Sequence, residues 1–132
     1  MLKLVITAAL GIFFCACDAG EEFDLEKQFD IKYDETITNN SNNLKIKFDD
    51  VANDNRCPKE AKCVWAGNAE VKFTFTSQSG SGSIQLNTNI APKDHKAFGY
   101  SIALKHLAPS KSVATSLKKK DYVATVVISK SK

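Results

Sequence analysis

Alternation of apolar and polar residues recurs in short stretches along this chain, and that period of two is what most limits the folds open to it. Phe29, Ile31 and Tyr33 alternate with Asp30, Lys32 and Asp34. Leu44, Ile46 and Phe48 alternate with Lys45, Lys47 and Asp49, and Val71, Phe73 and Phe75 with Lys72, Thr74 and Thr76. Ile84, Leu86, Thr88 and Ile90 alternate with Gln85, Asn87 and Asn89, and Phe98, Tyr100, Ile102 and Leu104 keep the same spacing. A period of two puts every second side chain on one face of a strand, whereas a helix needs apolar residues three and four apart. No long segment carries that helical repeat with caps. Tyr122 to Ile128 is apolar on both faces, which suits a central strand.

Turn-forming residues separate the runs: Asn39-Asn40-Ser41-Asn42-Asn43, Ser77 to Gly82, Ala91-Pro92-Lys93-Asp94 and Ala108-Pro109-Ser110. Short strands with one apolar face each predict an all-β domain, an antiparallel β-sandwich (immunoglobulin-like or a small barrel) of about six to eight strands. The 132 residues leave no room for two independent cores. With 43% hydrophobic and 25% charged residues, collagen-like, coiled-coil and wholly disordered chains are excluded. A net charge of +3 is too small to imply nucleic-acid binding.

Before the alternating region lies a different kind of segment. Lys3 is followed by an uncharged apolar run, Leu4 to Phe14, ending in Phe14-Cys15-Ala16-Cys17. With Cys15 and Ala16 the run is shorter than the roughly 20 residues a helix needs to cross a bilayer. Residues 1–16 therefore read as a bacterial lipoprotein signal peptide, removed before Cys17, with Cys17 as the lipid acceptor. Cleavage after Ala19, releasing a soluble protein, is the competing reading. Residues 17–27, rich in Asp and Glu, read as an acidic tether that cannot pack a core. The stretch also resembles the acidic signal that follows the lipidated cysteine of surface lipoproteins in Bacteroidetes-type bacteria. The sandwich domain is expected over residues 28–132. A doubly or triply acylated cysteine gives stable membrane attachment without a spanning helix.

Once Cys15 leaves with the signal and Cys17 carries lipid, Cys57 and Cys63 are the cysteines left in the domain. A close pair in an exported chain predicts a disulfide. Closing so short a loop stabilises by only about 2–2.5 kcal/mol, enough to pin a loop. A zinc site would need four ligands, and His95 and His106 are both distant in sequence; a redox dithiol prefers C-x-x-C.

The most distinctive stretch surrounds that pair: Asp54-Asn55-Arg56-Cys57-Pro58-Lys59-Glu60-Ala61-Lys62-Cys63-Val64-Trp65-Ala66-Gly67. It resembles the D-x-R-C-P…C-x-W-x-G pattern of an uncharacterised family of bacterial envelope lipoproteins. The likeness runs more loosely from about Phe29 to Ile128, and it implies no activity. Trp65, two residues beyond Cys63, is expected to cover the disulfide and cap the core if a strand has begun there. Gly67 would permit a bulge or a close backbone approach. Arg56 is expected to brace the loop through Asp54 and Glu60. In a second reading the pinned loop presents Arg56, Lys59, Lys62 and Trp65 as a binding surface.

Charge divides the chain. Cys17 to Asp50 holds ten acidic and four basic residues, and Val51 to Lys132 five acidic and thirteen basic. Opposite signs neutralise if the first and last strands are neighbours; a basic face near Lys118-Lys119-Lys120 for anionic surfaces is the other reading. Asp49, Asp50, Asn53, Asp54 and Asn55 gather oxygens but miss the EF-hand spacing, and turn chemistry accounts for them. Gly80-Ser81-Gly82-Ser83 is not a nucleophile elbow, and His95 and His106 have no recognisable catalytic company. No cofactor pattern is present. The sequence thus leads to a lipid-anchored envelope protein, a non-catalytic binding or assembly module with an envelope protein or glycan as partner. An inhibitor or small-ligand binder using the disulfide loop is the alternative, and a small hydrolase is further off.

Overall fold

The computed structural model describes residues 21–114 and 116–131; the expected signal peptide and the expected lipidation site Cys17 lie outside them. Strands β1 (Gln28–Lys32), β2 (Thr36–Asn39), β3 (Leu44–Ala52), β4 (Glu70–Ser77), β5 (Gly80–Asn87), β6 (Asp94–Ala97), β7 (Tyr100–Ala108) and β8 (Val123–Lys130) follow in order. One helical turn, of 3-10 type, spans Lys119–Asp121.

These strands form two antiparallel four-stranded sheets, ordered β2-β3-β4-β5 and β1-β8-β7-β6. The sheets stack as a sandwich and do not close into a barrel. Inward residues are those the alternation marks. Ile46, Phe48, Val71, Phe73, Phe75 and Leu86 come from one sheet, and Ile31, Ile102, Ala124, Val126 and Ile128 from the other, all fully buried. Burying each such large side chain stabilises by about 1.5–3 kcal/mol, which is the main force holding the sheets together. β8 is central as expected. β1 pairs with it from Gln28↔Val127 to Lys32↔Val123, so the acidic beginning and the basic end of the chain are neighbours. Thr125 Oγ1 donates to Asp30 Oδ1 at 2.7 Å across that seam.

Several expectations are corrected. The segment expected as tether begins the fold: Phe23 is only 3% exposed and stacks on Phe29 at 4.6 Å between ring centroids. Phe23 N–H donates to Thr38 O, Thr38 N–H to Glu21 O, and Asn39 Nδ2 to Phe23 O. An aromatic among acids can anchor a segment that its average composition assigns to solvent. Phe98 is not in a strand. It sits at φ +52° with Gly99 at φ +81° in the β6–β7 turn, a positive-φ pair that suits a tight hairpin. Gly80 to Ser83, expected as turn, are the paired first half of β5.

The two ends of the sandwich differ. β3 ends and β4 begins at one end, where β7 also ends and β8 begins; the loops 53–69 and 109–122 emerge there together. Residues 21–23 lie beside the far half of β2, whose last residue, Asn39, pairs with Leu44 at the opposite end.

Candidate functional site

The loop 53–69 is built as a clamped stem with a stapled tip. Asn55 N–H donates to Asn68 O at 2.9 Å, Cys57 N–H to Ala66 O at 2.8 Å, and Asn68 N–H to Asn55 Oδ1 at 2.7 Å. The two arms are so close that a Cβ on Gly67 would lie 2.1 Å from Asn55 O, and Gly67 itself adopts φ +72°. Glycine is obligatory there, for close approach. Beyond the stem, Cys57 and Cys63 form the expected disulfide, Cα–Cα 6.0 Å.

Arg56 locks this stem to the second loop. Its Nε and Nη2 donate to the two carboxylate oxygens of Asp54 at 2.8 and 2.9 Å, a bidentate pair. Nη1 donates to Leu107 O at 2.7 Å and Nη2 also to Pro109 O at 3.1 Å. Tyr122 Oη donates to Asp54 Oδ2 at 2.7 Å, and Lys111 Nζ to Asp54 O at 2.7 Å. Burial pushes the Asp54 carboxyl up, but the hydrogen bonds from Arg56 and Tyr122 outweigh it and hold Asp54 below the usual carboxylate range. The Tyr122 hydroxyl is pushed up to about 12, by burial first and then by its bond to Asp54. Arg56, Asp54 and Tyr122 therefore form a nearly buried fastener. Arg56, expected among the recognition residues, is spent inside it.

The tip rests on the second loop. Lys59 N–H donates to Lys111 O at 2.9 Å. Glu60 accepts from Ser112 Oγ at 2.6 Å and from Val113 N–H at 3.1 Å, rather than from Arg56 as expected. On this base stand Val64 (105% exposed), Trp65 (56%) and Val113 (70%). Trp65 thus does not cap the core. β4 begins only at Glu70, so strand alternation does not extend back to Cys63, and the indole rides the loop tip instead. At this end of the sandwich Asp54, Lys111, Val113, Leu117 and Tyr122 help line an open depression of about 440 Å³.

Charge at this end is one-sided in what it leaves free. Asp54 and Glu60 are bonded as above, Asp50 binds Lys119 Nζ at 2.7 Å and lies below its usual range because of it, and Asp121 accepts from Lys118 N–H. Lys59 and Lys62 are exposed and make no side-chain hydrogen bond or ion pair among the described residues. Of the expected binding residues the tip therefore brings together Lys59, Lys62 and Trp65. Val64 and Val113 join them. They were not expected because neither belongs to a periodic run, and only the fold sets Val113 beside the staple.

The oxygen-rich residues do not converge. Asp49 bonds Thr74 Oγ1, Asn53 reaches Glu70 at 3.0 Å, and Asn55 serves the stem. Among the described residues no three His, Cys, Asp or Glu side chains gather as a metal site would require. His95 and His106 are both exposed, in β6 and β7. No helix among the described residues is long and apolar enough to cross a membrane. Comparison with known proteins gives no matching family model, no matching curated protein and no matching solved structure.

Proposed function

We propose that this chain is a lipid-anchored protein of the bacterial envelope, a non-catalytic binding module that meets its partner through the stapled tip. The observation that carries this reading is the solvent exposure of Val64, Trp65 and Val113 together on a rigid base, with Lys59 and Lys62 beside them. Large apolar side chains held out in water on a pinned loop cost solvation and contribute nothing to the core, so their use lies in contact with something else. Trp suits such a role because its large area is presented with few rotatable bonds.

Tethering raises the effective concentration of weak contacts, and a small knob of this kind then suffices. The motif Asp54 to Gly67 resembles that of envelope lipoproteins, in keeping with this reading.

The test compares the chain with its Trp65→Ala variant for capture of partners from detergent-solubilised envelope of its host. Lipid labelling with Cys17→Ala as control runs alongside. Trp65→Ala should melt within about 2 °C of the parent, since an exposed side chain costs little stability, and should lose the captured species. Equal capture by both forms, or an unlabelled Cys17 peptide, would overturn the corresponding half of the proposal.

A further inference from the structure

Every sheet edge is a row of backbone donors and acceptors that another strand can pair with, and most proteins guard theirs. Three of the four edges here are guarded. β1 has five residues and carries Asp30 and Lys32. β2 has four, and Glu22 bridges to it at Thr38. β6 has four and carries Asp94 and Lys96. β5 is different: it runs eight residues, Gly80 to Asn87, with no charged residue, no proline and an unbroken register against β4.

We propose that the outer edge of β5 joins two copies of this chain into one continuous sheet. The direction of its backbone groups follows from two bonds. Asn87 N–H points away from β4, donating to Pro92 O at 2.8 Å, whereas Thr88 N–H points towards it, donating to Ala69 O at 3.1 Å. Alternation then turns the N–H and C=O of Gln85, Ser83 and Ser81 outward. The sheet order ends at β5, so no strand among the described residues takes them up.

The edge is complementary to itself. An antiparallel pairing about a two-fold axis at Ser83 sets Ser83 opposite Ser83 of the second copy, and Ser81 opposite its Gln85. That forms about six backbone hydrogen bonds. On the outer face only hydroxyl and amide side chains meet, with no like charges opposed. On the inner face Ile84 falls opposite Gly82, and Leu86 opposite Gly80, so no two large β5 side chains collide there; Ile84 and Leu86 are already buried in their own sandwich. The remaining exposed large apolar residues, Ile90 (47%) and Phe98 (38%), lie on this same side. Ile90 follows β5, and Phe98 packs over Gly80 and Gly82. Apolar surface thus brackets the open edge at both ends. This contact is independent of the stapled tip, which lies on the loops at one end.

Cross-linking the full chain in its host is the test. The Cα separation of a hydrogen-bonded antiparallel pair, about 5.5 Å, falls within the span of a disulfide. Ser83→Cys should therefore give a covalent species of twice the chain mass on mild oxidation. Thr74→Cys, one strand inward on the same face, should give at least tenfold less. Gln85→Pro removes an outward N–H without touching the β4 ladder, so the Ser83→Cys chain carrying it should melt as before and lose the cross-link tenfold or more. No doubled species, equal yields from positions 83 and 74, survival of the cross-link in the proline variant, or a product with a different protein would each overturn the two-copy edge.

Discussion

Arg56 is the residue on which the architecture of the stapled end turns. It satisfies the Asp54 carboxylate in its own loop and two backbone carbonyls, Leu107 at the end of β7 and Pro109 just beyond it, from a nearly buried position. Removing it strands those acceptors away from water, and the penalty for a buried charge left without its partner exceeds the net worth of the bond itself. Arg56→Ala should destabilise the domain by about 2–4 kcal/mol, read as a lower denaturant midpoint in guanidinium. Tyr122 gives a pH signature. Its hydroxyl is raised from 10 in the unfolded chain to about 12 when folded, so folding favours the protonated form. The stability this supplies is complete below pH 10 and is lost as pH rises towards 12. Tyr122→Phe should lower stability at pH 7 by about 1–2 kcal/mol and flatten the fall between pH 10 and 12. Sequence spacing foretold the Arg56–Asp54 pair because the two lie two residues apart. It could not foretell Leu107, Pro109 or Tyr122 as partners, since those contacts exist only once the sheets have stacked.

At the scale of elements, the disulfide is an addition to a loop already fastened. The stem bonds at Asn55 and Cys57, the Gly67 approach and the Arg56 clamp all lie on the core side of the staple. A Cys57→Ala, Cys63→Ala double variant should keep the β-sheet circular dichroism of the parent and lose about 2 kcal/mol. Near the tip, amide exchange at 59–65 should rise while the stem stays protected. Legibility in the sequence divides along the same line. Core-facing strands such as β3 and β4 were readable because Ile46, Phe48, Phe73 and Phe75 are buried and their neighbours are not. β2 and β6 were not, since four residues carry too few alternations, and β6 (Asp94-His95-Lys96-Ala97) buries none of them. Trp65 misled for a related reason: its spacing from Cys63 implies a shared face only within a strand, and no strand runs between Cys63 and Glu70. An exposed tip has no periodicity to betray it.

Across the whole molecule, the fold closes by pairing the first described strand, β1, with the last, β8, and residues 21–26 seal the side where β1 and β2 would leave the core open. Phe23 is the plug: buried, stacked on Phe29, its N–H donating to Thr38 O and its carbonyl accepting from the Asn39 side-chain amide. An acidic composition says that residues 17–27 should prefer water, but one aromatic ring brings more burial than the surrounding carboxylates oppose, because Glu21, Glu22 and Asp24 need only face outward. The folded unit therefore extends to the N-terminal side of Gln28, towards Glu21. A chain beginning at Gln28 would leave a cavity where the ring had been, and Phe23→Ala in the longer chain leaves the same void. Both should lose about 3–5 kcal/mol in guanidinium unfolding, whereas Glu22→Ala should change little. If the shorter chain unfolds at the same midpoint as the longer, the ring does not plug the sandwich and the domain begins at β1 after all.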